Sequence, residues 1–246
     1  MRPRTPLPTR YSRASAEAME SYTTPDFERS ALVIIDTQND FTLLEASSRI
    51  DGTLEIIPNL VRLLALYRER SLPVIHVVRF YFEDGSNADL CRKKQIEAGK
   101  RIVVPRSSGA ELVDDLKPEK TVRLDAERLM AGEFQQIADR EYVMYKPRWG
   151  AFYQTGFEGF LQDMSVDTLV FAGCNFPNCP RASIYEASER NFRLVLVRDA
   201  MSQLRRKDVK EMEAIAVSVT TTLKIDALFR RNSRAAAKQE IKNTDI

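Results

Sequence analysis

The sequence predicts an α/β domain built on a mainly parallel sheet. Three observations carry that expectation. Short apolar runs rich in β-branched residues alternate along the chain with segments of helical periodicity. The first such run, ALVIID at 31–36, is apolar throughout, as a strand covered on both faces is. The chain has 246 residues, 43% of them hydrophobic and 29% charged, which suits one domain with a sizeable core.

The elements follow in order. After ALVIID comes a helical segment, IIPNLVRLLALYRER (56–70), with Pro58 near its start and Leu60, Leu63, Leu64 and Tyr67 at helical spacing. LPVIHVVRF (72–80) is a second strand. Residues 83–140 are polar and mixed, with short helical stretches expected around 88–99, 109–116 and 125–138. EYVMYK (141–146) is a third strand and FEGFLQDM (157–164) a short helix. DTLVFAG (167–173), CPRASIYEASERN (179–191), FRLVLVRDA (192–200) and KDVKEMEAIAVSV (207–219) continue the alternation, and a short sixth strand is expected near 218–222. Pro3, Pro6 and Pro8 forbid a regular helix at the start, so residues 1–25 read as an arm, 26–230 as the domain and 231–246 as a polar tail.

Composition narrows the chemistry. Lys plus Arg number 37 and Asp plus Glu 35, a net charge of +2, which disfavours a general nucleic-acid binder. No apolar run approaches the roughly 18–20 residues of a membrane-spanning helix, and no apolar leader is visible near the N-terminus. Three cysteines do not make a disulfide framework, so a reducing cytoplasm is expected. The single histidine, His76, excludes a zinc site built on several imidazoles. Acid–base or covalent chemistry here falls to carboxylates, lysine and cysteine.

In a parallel α/β sheet the site lies beyond the carboxyl ends of the strands. The residues there are Asp36, Arg79, Lys146, the 173–179 turn and Asp199. In Gly173-Cys174-Asn175-Phe176-Pro177-Asn178-Cys179, Asn178 suits a helix N-cap and Pro180 the first turn. Cys179 then sits at a helix start, where free N–H groups and the helix dipole favour a thiolate and can hold an oxyanion. The competing reading is a small buried core cysteine. A Cys174–Cys179 pair or a C-x4-C metal site is weakly supported, Cys91 being the only other cysteine. Asp36, entering a desolvated strand end, suits a proton acceptor and donor. Alone, Asp36 reads as a capping or paired acid and Lys146 as a solvated lysine; together with Cys179 they can converge. His76, inside a strand, reads as structural. Arg79 could reach the pocket and bind a carboxylate, or form a surface ion pair. Trp149, Phe152 and Tyr153 wall an apolar pocket or pack against a neighbouring subunit.

The set ALVIIDTQNDF (31–41), YKPRWGAFYQT (145–155), GCNFPNC (173–179) and VRDAMS (197–202) resembles the isochorismatase-like cysteine hydrolase superfamily, over roughly residues 30–222. The resemblance implies a three-layer αβα sandwich with a six-stranded, mostly parallel sheet. It implies a triad of Asp36, Lys146 and Cys179, an oxyanion hole of the Asn175 and Cys179 amides, a non-proline cis peptide between Cys174 and Asn175, and association as a homo-dimer or homo-tetramer. Phe41 and Phe176 join Arg79, Trp149, Phe152 and Tyr153 as candidate pocket residues, with Phe176-Pro177 making a bulky rim where the family usually has Thr. RFYFEDGSNADLCRK (79–93) lacks the histidine of metal-dependent nicotinamidase-like members, so no metal or other cofactor is expected and nicotinamide is disfavoured. Cys179, absent from members that cleave the isochorismate vinyl ether, favours hydrolysis of a small molecule's carbon–nitrogen bond through a thioester. The alternatives are a vinyl-ether hydrolase using Asp36 as acid, and a catalytically idle binding member. Neither nucleic acid nor membrane is an expected partner.

Overall fold

The structure, a computed structural model, describes residues 22–46 and 48–231. Most of the expected arm and nearly all of the expected tail lie outside the described residues.

The strands are β1 (Ser30–Ile35), β2 (Val74–Val78), β3 (Gln135–Ala138), β4 (Glu141–Tyr145), β5 (Thr168–Gly173), β6 (Arg193–Met201) and β7 (Ser218–Thr220). The helices are α1 (Asn39–Thr42), α2 (Ile57–Glu69), α3 (Leu90–Glu97), α4 (Ala126–Met130), α5 (Phe157–Asp163), α6 (Cys179–Ser188) and α7 (Arg206–Ala214), and residues 222–231 are also helical. The described strands form one seven-stranded sheet in the order β3-β4-β2-β1-β5-β6-β7. Every pairing is parallel except β3 with β4.

Strand periodicity sorts side chains onto two faces. Ala31, Val33 and Ile35 of β1 pack with Leu169 and Phe171 of β5 against Phe157 and Leu161 of α5 and Ile184 and Ala187 of α6. Leu32 and Ile34, with Val170 and Ala172, pack on the other face against Leu60, Leu63, Leu64 and Tyr67 of α2 and against Phe229. That is the expected αβα sandwich. A third apolar cluster, including Phe41, Val78, Phe80, Ile96 and Leu112, lies under the long segment that follows β2.

The sheet has seven strands where six were expected, because the stretch 125–138 is not one helix. Helix α4 ends before Gly132, which adopts φ +90°. Residues 135–138 then pair antiparallel with β4 across the two-residue connection Asp139-Arg140, where Arg140 has φ +51°. A left-handed residue in so short a link makes a hairpin. The expected helix at 109–116 is likewise replaced by two single 3-10 turns, Ser108–Ala110 and Asp114–Leu116.

His76 is structural, as its place inside a strand indicated. Its Nε2 donates to Glu141 Oε1 at 2.7 Å, and Arg68 donates to both Glu141 oxygens at 2.7 and 2.8 Å. Burial by itself would raise the Glu141 carboxyl; the His76 and Arg68 donors outweigh it and hold the group at about 2. A carboxyl lowered on folding stabilises the fold above its unfolded value of about 4.5 and ceases to do so as pH falls towards 2. Glu141→Gln is therefore expected to cost on the order of 3 kcal/mol at pH 7. Its denaturation midpoint should vary less than that of the unmodified chain between pH 5 and 2.5, as urea titration at each pH would show.

Candidate active site

Strand β1 lies between β2 and β5, so the chain crosses over in opposite directions on its two sides, and the crevice at its carboxyl end is the natural place for a site. Main-chain hydrogen bonds pin the strand exits together there. The Asp36 amide donates to Val77 O at 2.9 Å, the Lys146 amide to Val78 O at 3.0 Å and the Cys174 amide to Ile35 O at 2.8 Å. Asp36 itself is left-handed, with φ +52°, a conformation that Asp tolerates better than most residues. Gly173, at φ +114°, lets β5 run against β1; a Cβ there would collide with the Ile35 carbonyl oxygen and amide nitrogen.

The side chains of Asp36, Lys146 and Cys179 meet in this crevice. Lys146 Nζ lies 3.0 Å from Asp36 Oδ2, and both residues are buried. Cys179 lies near enough to both for their charges to act on its thiol. Burial alone would lower the Lys146 ammonium, but the negative charge of Asp36 more than offsets it, so its pKa is raised. Cys179 is pushed up, chiefly by desolvation and then by Asp36, with Lys146 opposing. The expectation of a thiolate favoured by the helix start is thus corrected. Low-polarity surroundings and a neighbouring carboxylate hold the proton on the sulfur, and the resting group is a thiol beside a base.

The 173–179 turn differs from expectation in two further respects. No cis peptide occurs among the described residues, so the Cys174–Asn175 bond is trans. The trans form is intrinsically favoured, and the turn is held without a cis bond by Cys174 N donating to Ile35 O and Phe176 N to Ser202 O at 3.0 Å. Asn178 occupies the N-cap position of α6, but its side chain makes no capping bond. The main-chain amides of Asn175 and Cys179 donate to no protein acceptor among the described residues. They remain free to serve a developing oxyanion.

A cavity of about 10 Å³ opens beside the thiol, lined by Asp36, Phe41, Ile50, Arg79, Tyr81, Arg92, Trp149, Cys174, Asn175, Asn178 and Cys179. That is room for about one water. Of the residues the sequence offered for a pocket, Phe41, Arg79 and Trp149 line this cavity. Phe152, Tyr153 and Phe176 do not. Phe152 is core, its ring packed at a tilt against Phe157 and Phe192. Phe176 is fully buried in the same cluster and carries the Arg181 guanidinium on its ring. Tyr153 is 47% exposed and does not line the cavity. The reason is a clamp on the loop after Lys146. The Ala151 amide donates to Ser183 Oγ at 3.0 Å and the Phe152 amide to Glu186 Oε2 at 2.9 Å, drawing the loop onto α6.

Tyr81 and Arg92 went unrecognised in the sequence. Tyr81 sits two residues beyond Arg79 and so shares its side of an extended chain, a usable signal. Arg92 is brought in by α3 and Ile50 by a loop, with no local signal for either. The D-x-Q-x-D spacing has a structural meaning that sequence reasoning also missed. Buried Gln38 donates to Arg79 O at 3.0 Å and Ala110 O at 2.7 Å and accepts from Arg79 N at 2.9 Å. Asp40 accepts from Val103 N at 2.6 Å. These two residues tie the long post-β2 segment over the crevice. Asp199, the other strand-end acid, lies outside the cavity and accepts from Thr222 N at 2.9 Å.

Among the described residues, no group of three or more His, Cys, Asp or Glu side chains could hold a metal ion, and no helix is long and apolar enough to cross a membrane. The family model for the isochorismatase domain matches residues 30–223. The chain belongs to the isochorismatase family. Within that family it is 30% identical over 201 residues to a probable inactive nicotinamidase of Arabidopsis thaliana, covering 79% of this chain and 93% of that protein. It is 27% identical over 187 residues to the maleamate amidohydrolase of Pseudomonas putida, covering 74% and 76% respectively. A solved isochorismatase family protein from Desulfovibrio vulgaris superposes with a TM-score of 0.69 at 30% identity, over 82% of this chain and 98% of that one. The family thus includes hydrolases that act on amides.

Proposed function

We propose that this isochorismatase-family chain is a cysteine hydrolase that cleaves an amide or ureido-type carbon–nitrogen bond of a small molecule. The observation that carries the reading is a partly buried thiol that lines one cavity with a carboxylate paired to an ammonium. Asp36 takes the Cys179 proton as the sulfur attacks the carbonyl carbon. The Asn175 and Cys179 amides hold the negative oxygen of the tetrahedral adduct. Asp36 returns its proton to the departing amine as the carbon–nitrogen bond breaks, leaving a thioester. Water, deprotonated by Asp36, then hydrolyses the thioester and restores the thiol. Lys146 keeps its charge throughout, orients the carboxylate and stabilises the transient thiolate.

A vinyl-ether hydrolase and a binding protein without turnover are the other readings. Because one relative is described as probably inactive, turnover itself is what must be measured. Incubation with a panel of small amides is expected to release ammonia and to leave an acyl adduct on Cys179 visible by intact mass. Cys179→Ala should lower the release by at least about a thousandfold. Ammonia release unchanged in that variant would overturn the scheme, and pyruvate release from isochorismate in its place would select the vinyl-ether reading.

A further inference from the structure

Two thiols line the cavity, and the proposed hydrolysis uses one of them. Cys179 is half-buried at the start of α6, and Cys174, fully buried, follows the last residue of β5. Between them the Asn178 amide donates to Asn175 O at 3.1 Å, closing a turn that folds the chain back on itself. The Cys174 end of that turn is also held to β6, where the Ser202 amide donates to Gly173 O at 3.0 Å. Both cysteines border the same space of about 10 Å³, room for about one water, and the Asp36 carboxylate acts on both sulfurs. Cys91, by contrast, is exposed on α3 and does not line the cavity. Spacing along the chain supports a Cys174–Cys179 pair only weakly; the shared cavity is what carries it.

We propose that Cys174 and Cys179 close into a reversible disulfide when a hydroperoxide oxidises Cys179, which withdraws that sulfur and shields it from further oxidation. Cys179 is the more accessible of the two and meets the oxidant first; Cys174 resolves the product. Asp36 takes the Cys179 proton as the sulfur attacks one peroxide oxygen. The O–O bond breaks, and the departing hydroxide takes that proton and leaves as water, so Cys179 becomes a sulfenic acid. The Cys174 sulfur then attacks it. The S–S bond forms, the S–O bond breaks, and a second water leaves with the Cys174 proton. Two thiols are oxidised and one peroxide is reduced to two waters. In a reducing compartment lasting disulfides are rare, and the transient ones are catalytic or redox-sensing. The pair does not depend on the hydrolase reading, since it needs only the two sulfurs and the neighbouring base.

To test it, the full chain is exposed to hydrogen peroxide, unfolded, blocked with iodoacetamide and digested with trypsin without reductant. Residues 149–181 follow Arg148 and contain no Lys or Arg before Arg181, so both cysteines fall in one peptide and Cys91 in another. That peptide is expected to be lighter by two hydrogens and unblocked, and to become doubly blockable after reduction. In Cys174→Ala the oxidation should run on to the sulfinic acid, so that reduction restores at least about tenfold less blockable Cys179 than in the unmodified chain. The proposal is overturned if both thiols stay blockable at peroxide doses that oxidise Cys91, or if Cys179 takes up oxygen while Cys174 stays blockable. A disulfide to Cys91 in place of Cys174, or full recovery of Cys174→Ala on reduction, overturns it too. The peptide of the unmodified chain decides the matter even if the variant does not fold. No ammonia is measured, so failure here leaves the hydrolase reading standing, and failure of that reading leaves the disulfide standing.

Discussion

Asp36→Asn is expected to lower turnover about a thousandfold, the usual worth of a positioned general base, and at the same time to make Cys179 easier to ionise. The two effects point in opposite directions because Asp36 has two influences on the sulfur. As a base it accepts the proton when the carbonyl is attacked. As a charge it raises the thiol's pKa, against the pull of Lys146. Asparagine removes both. The Lys146 ammonium, having lost its partner at 3.0 Å, then pairs with a thiolate instead, and the alkylation profile of Cys179 with iodoacetamide should shift to lower pH. Lys146→Met should shift it to higher pH. Faster alkylation with lost turnover would mark Asp36 as a base; a profile unmoved by either change would refute the electrostatic account of the thiol. The same reasoning predicts that the unmodified Cys179 alkylates slowly near neutral pH, since burial and Asp36 hold the proton on.

Gly173→Ala should have the second largest effect, and it acts through the backbone. The residue is at φ +114°, and an added Cβ meets the main chain of Ile35, which cannot move aside as a side chain can. Strain at such a position is worth about 1–3 kcal/mol, and separating β1 from β5 costs more. For a domain of this size, a loss of about 3 kcal/mol lowers the melting temperature by roughly 6–12 °C. The Cys174–Ile35 hydrogen bond and the whole 173–179 turn would shift with it, so ammonia release should fall well beyond what the lost stability explains. Gly132→Ala is the control. That glycine is also left-handed, at φ +90°, but a Cβ there meets nothing within 4 Å, so it should cost only the strain and leave the site intact. Equal melting temperatures for the two variants would show that the collision at Ile35 is relieved by local movement.

The central architecture was legible because it rests on local periodicity. The apolar runs at 31–36 and 167–173 are buried on both faces, and the spacing of Leu60, Leu63, Leu64 and Tyr67 matches the face α2 buries. The extra strand was missed because Gln135–Ala138 is half polar and lies at the sheet edge, where no apolar run is required. Its pairing comes from the Asp139-Arg140 link and from β4, not from its own residues. Among the pocket aromatics, Trp149 and Phe152 stand three residues apart yet fall on opposite sides of the loop, because Ser183 and Glu186 of α6 capture the amides between and beside them. Nothing near Phe152 in the chain announces those acceptors.

The amino-acid sequence by itself determined that there is a parallel sheet, that Asp36, Lys146 and Cys179 stand at the ends of its strands, and that the chemistry must do without a cluster of histidines. Each of these depends on residue type and on spacing within one element. The tertiary structure alone decided that Cys179 rests protonated, that Arg92 joins Arg79 around the cavity, and that Phe152 and Phe176 belong to the core. Those outcomes depend on desolvation and on charges brought from distant elements, and both exist only once the chain has closed around them.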